Sequence, residues 1–445
     1  MAHWIKKTLF FVLLGLLVVG IAGFFVAQSY INKPSVIEKI RTVFSQKFGG
    51  ELNFKDASFN LFNGLNIYQL RLSAEEAGNN TPPFLSIQKV VLEYSPLSLL
   101  RKKIKITNIT LDRPSLHFIH QGDSWLLPQP KSNFIKHALT LSTGHNTFVI
   151  LLDNINLNNA AVSISSNGAN DELFLADGIN VNGQLLVSEN QGSAEGSVSI
   201  RTMKFGPSLT LSDVSSTISY ANDEIHFTKL NGNAYGGTAE GAITIPASTE
   251  KPNQNYGVYL HFNNIDFPSL VKDFKANPEL MHAKVDFYCD LWGDINHPSL
   301  IQGKGYFESK QVQLTGFKVL DIIGNLLNQP NLRNTKFDTV HGSFKIADDQ
   351  LTFYSLEIIS PNLKISASGS VKYDETIDFD ALLTVNPSLI QQIPANVAEQ
   401  FSTQPDGSKS ISFKVSGMPG TPICNLADKL YGKPPEPAPA PVPAQ

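Results

Sequence analysis

The stretch NLKISASGSVKYDETIDFDALLTV, residues 362–385, decides the fold. Leu363, Ile365, Ala367, Val371 and Tyr373 share one alternation, and Lys364, Ser366, Ser368, Ser370 and Lys372 fall between them. A period of two marks a strand with one buried and one wet face. Asp374–Thr376 supplies turn residues. Beyond it Ile377, Phe379, Ala381, Leu383 and Val385 resume the apolar set, with Asp378 and Asp380 opposite. The reading is an antiparallel hairpin with an oily side and a polar side.

The same pattern extends outward in both directions. LNIYQL, FLSIQKVVLEY, IKITNITL, SLTLSDV, EIHFTKL and AKVDFYCDL are strand-like, rich in β-branched and aromatic residues and separated by Asn, Gly, Asp and Pro. The motif GSAEGSVSI (192–200) returns as GTAEGAITI (237–245) and again within ASGSVKY (367–373). Turn spacing gives roughly 25 strands. Three interruptions read as helices: SPLSLL (95–100), PSLVKDF (268–274) and GFKVLDIIGNLL (316–327). The last places Phe317, Leu320, Ile323, Gly324 and Leu327 on one stripe. Plain cover for a core is the ordinary use of such a stripe, and a gate helix over a groove is the sharper one. Tyr235-Gly236-Gly237 reads equally as a bend in a curled sheet or as a hairpin turn.

The N-terminus is of another kind. Thr8–Ala27, TLFFVLLGLLVVGIAGFFVA, has no charge and the length of a bilayer-spanning helix. Lys6 and Lys7 precede it, so residues 1–7 are expected in the cytoplasm, 8–27 in the membrane and the rest exported. Residues 28–50 read as a linker and an amphipathic helix. It starts at the capping box Ser35–Glu38 and carries Val36, Ile40, Val43, Phe44 and Phe48 on one face. Residues 434–445, Pro- and Ala-rich, read as an extended tail.

Composition narrows the function. Of 445 residues, 35 are Lys or Arg and 39 Asp or Glu, a net charge of −4, which gives no basic surplus for nucleic acid. No nucleophile elbow, phosphate loop, zinc-helix or Cys-x-x-Cys motif is present, so neither an enzyme nor a cofactor is expected. His117 and His120 point to opposite faces of a strand, and His282, Asp286 and Asp290 are spread too far along one to share a metal. Cys289 falls on an apolar face and reads as an inert thiol, with a bridge to Cys424 left open.

A half-apolar sheet with so few helices must either fold back on itself or curl into a trough that something else fills. A lipid acyl chain is suited to such a trough, at ~0.8 kcal/mol per buried CH₂. The wall residues expected from the clearest strands are Leu363, Ile365, Val371, Ile377, Phe379 and Leu383, with Val285, Phe287 and Leu291.

At this point the chain resembles the AsmA-like family of bacterial envelope proteins. The N-terminal resemblance lies in FLSIQKVVLEYSPLSLLRKKIKITNITLDRPSLHFI (84–119), with Pro114 where the family has its proline. Further resemblance lies in KLNGNAYGGTAEGAITI (229–245), FNNIDFPSLVKDF (262–274), SLIQGKGYFESKQVQLTGFKVLDIIGNLL (299–327) and the stretch 341–379. It implies a single inner-membrane anchor followed by an elongated, curled antiparallel β-sheet, a repeating periplasmic β-groove. That groove would be divided at residue 190 into segments 51–190 and 191–425. It further implies a role in phospholipid movement and outer-membrane homeostasis, with a protein partner in the periplasm or outer membrane. The alternative function is a scaffold for assembling outer-membrane proteins.

Overall fold

The computed structural model describes residues 50–60, 64–74, 81–96, 103–121, 124–126, 140–143, 146–166, 171–187, 192–205, 209–221, 224–246, 255–273, 281–294, 301–315, 317–329, 332, 336–348, 350–372 and 374–432. The expected anchor at 8–27, the amphipathic helix at 35–48, residues 97–100 of SPLSLL and the tail at 434–445 lie outside these. Among the described residues no helix is long and apolar enough to cross a membrane. The described chain is mainly β, with 24 strands and five short helices. It falls into two compact units: residues 1–234, 238–258 and 294–297 form unit 1, and residues 235–237, 259–293 and 298–445 form unit 2.

In unit 1 the strands are β1 (Gly50–Asn53), β2 (Asp56–Asn60), β3 (Gly64–Ala74), β4 (Leu85–Tyr94), β5 (Lys103–Asp112), β6 (Ser115–Gln121), β7 (Ser124–Trp125), β8 (Thr140–Thr143), β9 (Asn146–Ser166), β10 (Asp171–Val187), β11 (Gly192–Phe205), β12 (Leu209–Ala221) and β13 (Glu224–Ala234). Two more, β14 (Gly237–Pro246) and β15 (Asn255–Asp266), are divided between the units. Neighbours pair antiparallel from β3 through β5 and from β9 through β13. The purely antiparallel expectation fails at one place. β5 and β6 both pair parallel to β9. Pro114 breaks the run between them, with no N–H to give a ladder. The backbone turns there through Arg113 (φ 49°), whose N–H donates to Asn158 O at 2.8 Å, and Pro114 O accepts from Ala161 N. β5 and β6 thus serve as two halves of one strand beside β9. Residues 122–145 intervene before β9, and parallel strands need a long connection of this kind. β10 and β11, on either side of the expected division at residue 190, pair from Val187↔Gly192 to Phe174↔Phe205.

Strict alternation does not persist along these strands. In β9 the apolar set is Ile155 and Leu157, then Ala160 and Val162, with Asn159 (φ 49°) between. The same one-residue slip occurs in β3 at Gln69 (φ 53°), in β10 at Gly178 (φ 68°), in β12 at Asp213 (φ 51°) and in β13 at Lys229 (φ 54°). In β9, β10, β12 and β13 the ladder register shifts at these points, the mark of a β-bulge, which bends its strand and moves the apolar set by one; at Gln69 β3 and β4 slip together in unchanged register. Left-handed backbone at a non-glycine residue costs about 1–3 kcal/mol, so it must be held. Asn side chains two residues on do this: Asn180 Nδ2 donates to Gly178 O at 3.1 Å, and Asn231 Nδ2 to Lys229 O at 2.8 Å. Asn180 Oδ1 also accepts from Asn159 N, and Asn233 Nδ2 donates to Asp213 Oδ2. Arg201 ties the row together in β11, reaching Asp177 at 3.2 Å and Asn159 Oδ1 at 3.1 Å. The irregularities of β9 and β10 face each other across the sheet. Tyr235 and Gly236 form a two-residue turn with φ of 45° and 73°, the hairpin reading of that doublet; the bends are made by the bulges.

Unit 2 contains β16 (Met281–Asp294) except its last residue, β17 (Gln302–Leu314), β18 (Lys336–Ala347), β19 (Gln350–Ile359), β20 (Leu363–Lys372), β21 (Ile377–Val385), β22 (Ser402–Thr403), β23 (Lys409–Met418) and β24 (Thr421–Cys424). From β16 through β21 successive strands pair antiparallel, and β21 then pairs with β23. The hairpin of residues 362–385 forms in the expected register, with Leu363 opposite Val385 and Val371 opposite Ile377. The helices are α1 (Phe267–Asp273), α2 (Lys318–Leu326), α3 (Pro387–Ile390), α4 (Ala395–Ala398) and α5 (Leu426–Tyr431). α1 and α2 stand where the sequence predicts helices. Leu320, Ile323 and Leu327 from α2 and its end, Leu389 of α3, Val397 of α4, and Leu426 and Leu430 of α5 form one buried cluster with the sheet.

Candidate functional site

Large apolar side chains in unit 1 meet two different fates. On β3–β5, Ile67, Leu70, Ile87, Val90, Ile106 and Ile109 are wholly buried. On β9–β13, Ile155, Leu157, Ile179, Val181, Ile200, Ile218 and Phe227 stay only half-buried. They surround a cavity of about 600 Å³, within the range of small-molecule sites. Leu85, Leu111 and Leu116 close one side, and Phe174, Met203 and Tyr220 contribute further wall. No charged side chain other than Glu195 is among the lining residues. Glu195 and Gln184 face each other across β10 and β11, on the alternation opposite to Val181 and Val198.

Register explains the depth of this groove. Ile155, Gly183, Gly196, Ile218 and Phe227 are successive cross-strand partners from β9 to β13. Two adjacent glycines stand in a row otherwise of Ile and Phe. Unit 2 handles its inner-face glycines differently. Gly305 lies under the ring of Phe344, Gly342 under Phe307 and Gly369 under Phe379, each within about 2.9 Å of where a Cβ would sit. These rings join Phe287 and Phe353 in a packed aromatic stripe, with Phe287 stacked on Phe344 at 5.8 Å and Phe353 against Phe379 at 5.9 Å. In unit 1 a second glycine replaces the covering ring.

The expected wall residues lie in unit 2. Val285, Leu363, Ile365 and Leu383 are in the cluster closed by the helices. Phe287, Ile377 and Phe379 are half-buried against it; Leu291 and Val371 are also half-buried. Of the expected gate residues, Leu320, Ile323 and Leu327 are buried in that cluster while Phe317 is exposed. α2 is further tied by Tyr431 Oη, which donates to Leu326 O at 3.0 Å. The groove of β9–β13 escaped the sequence reading because a bulge divides each half of its apolar set into runs too short to count. The signal that was present is the glycine inside each of two alternating runs, INVNGQLLV and AEGSVSI.

Polar groups elsewhere are occupied by the fold. His117 is held between Ser163 Oγ at 2.8 Å and Ser115 Oγ at 2.9 Å, and burial pushes its pKa below the ordinary value. Asp286 accepts from Asn264 N at 2.7 Å, and Asp290 pairs with Lys304 at 3.6 Å. The Ser269 hydroxyl hydrogen bond lowers the pKa of Asp266, and the Lys364 hydrogen bond that of Glu357. Among the described residues no three metal-binding side chains converge. Both cysteines are free; burial pushes the Cys289 thiol up to about 11.

Comparison with curated proteins and with solved structures returns no match. Comparison with protein families matches residues 4–184 to the AsmA family, a span running from before the apolar N-terminal stretch through most of β10 and including the proline-marked corner at Pro114. The repeats at 229–245 and 341–379 lie outside that span. Over residues 4–184, less than half of its length, the chain is similar to the AsmA family.

Proposed function

We propose that the protein binds lipid acyl chains in the groove of β9–β13 and guides phospholipid between membranes of the bacterial envelope, without catalysing a reaction. Its body would be periplasmic, held at the inner membrane by residues 8–27. The observation that carries this reading is a preformed cavity of about 600 Å³ whose walls are half-buried Ile, Leu, Val and Phe. Exposed apolar surface is costly, and an extended hydrocarbon covers it without asking for hydrogen bonds. Each methylene transferred there gains ~0.8 kcal/mol, so ten give a large driving force even after ordering losses. The groove's small polar share accords with recognition of the chain and not of the headgroup. In the wall expected in unit 2, Phe287, Leu291, Val371, Ile377 and Phe379 remain half-buried and open to the same use.

The test is extraction of the full chain from membranes in mild detergent, followed by mass spectrometry of bound lipid. Phospholipid near one equivalent is expected. Replacing Val181 and Val198 by Asp should remove it while leaving membrane insertion intact. Lipid that is absent from the wild type, or unchanged in the double variant, contradicts the reading.

A further inference from the structure

The row Ile155–Gly183–Gly196–Ile218–Phe227 contains a notch two strands wide. The two glycines do not have the same surroundings. A Cβ on Gly196 would meet Asn182 O at 2.5 Å and Gly183 Cα at 2.8 Å, so that position is closed to any larger residue. A Cβ on Gly183 would meet only Glu195 O at 3.5 Å and Ile155 O at 4.0 Å, both ordinary contacts. Gly183 has no positive φ. Neither sterics nor backbone conformation therefore requires glycine at 183, and glycine in a strand interior is destabilising by roughly 0.5–1 kcal/mol. The side chain missing there would project into the cavity, since Gly183 shares the alternation of Val181, a lining residue, and lines the cavity itself. Gly183 is also the last inward residue of β10 along that lining, and Ala194, two residues from Gly196 on β11 and also a lining residue, is small as well.

We propose that the Gly183–Gly196 notch receives the far end of the acyl chain and sets the longest chain the groove accepts. This rests on the reading of the groove as a lipid site. An unbranched chain advances about 1.25 Å per methylene, from the ~1.5 Å carbon–carbon bond and tetrahedral angle. A side chain at 183 filling one strand spacing of ~4.8 Å therefore displaces about four methylenes. Long chains lose contacts that short chains never make.

The experiment uses the full chain in detergent, with decanoate, palmitate and stearate competing against a fluorescent fatty acid. Gly183→Leu should weaken palmitate and stearate by about tenfold or more and leave decanoate within about threefold. Gly183→Ala should melt at or above the wild-type temperature, because space and conformation both permit it. Asn182→Leu, on the opposite face, should change neither profile. If the wild type binds none of the three acids, the lipid reading fails and the notch with it. If the wild type binds them but Gly183→Leu keeps the same order of affinities, or weakens all three equally, the notch proposal falls and the lipid reading stands. A Gly183→Ala protein that unfolds shows a structural glycine and likewise overturns the proposal.

Discussion

Gly178 and Gly183 lie in the same strand, five residues apart, in surroundings that differ in kind. Gly178 has φ 68°, and a Cβ there would meet Arg201 Cβ at 2.6 Å with the guanidinium 3.1 Å away. It is the bulge residue over which Arg201 reaches to Asp177 and Asn159. Gly178→Ala is expected to destabilise unit 1 by about 1–3 kcal/mol, from left-handed strain and displacement of Arg201. Urea unfolding measures this; an unchanged midpoint would show that the bulge tolerates a side chain. Cys289 gives a second prediction at this scale. With its thiol pushed up to about 11 by burial, it should resist iodoacetamide at pH 8 in the folded protein and react on unfolding. Rapid stoichiometric labelling of native Cys289 contradicts its placement on the buried face.

At the scale of elements, α2 separates two uses of an amphipathic helix. Ile323 is wholly buried among sheet and helix residues. Ile323→Ala should cost about 2–5 kcal/mol, as truncation in a closed core does. A variant of unchanged stability but altered lipid binding would assign the helix to gating instead. The hairpin of 362–385 was legible in the sequence because no bulge interrupts it: its ten apolar positions keep one parity to each side of a short turn. The strands around the groove were less legible for a definite physical reason. Asn159, Asp213 and Lys229 adopt left-handed backbone without being glycine, and nothing local in their side chains announces it. A single slip hides which residues share a face. The parallel join of β5 and β6 to β9 was also hidden, because it depends on a chain return of more than twenty residues and not on local pattern. The short helices α3, α4 and α5 are too brief for periodicity to show; α3 is marked by Asn386, whose Oδ1 accepts from Leu389 N at 2.8 Å, and by Pro387 at its start.

For the whole molecule, the two units should respond differently to acid. His117 in unit 1 has its pKa lowered below the ordinary 6.5 by burial, so its neutral form is favoured in the fold. The stability it lends is present above pH 6.5 and is lost as pH falls through the lower folded value. Glu357 in unit 2 is lowered below 4.5, chiefly by its hydrogen bond from Lys364, so its contribution holds above 4.5 and fades only in stronger acid. Hydrogen exchange against pH should therefore show peptides of β6 and β9 losing protection before those of β19 and β20. The opposite order would contradict these assignments. The AsmA match covers residues 4–184 and so takes in the β10 side of the groove but none of unit 2 described here. The groove, not the family, carries the lipid account, and two adjacent residues test it most directly. Val181 lines the cavity and Asn182 faces away. A photo-crosslinking amino acid placed at each in turn, in cells, should yield lipid adducts from position 181 and none from position 182. Equal labelling at both, or none at 181, would contradict the claim that this face of the sheet holds an acyl chain.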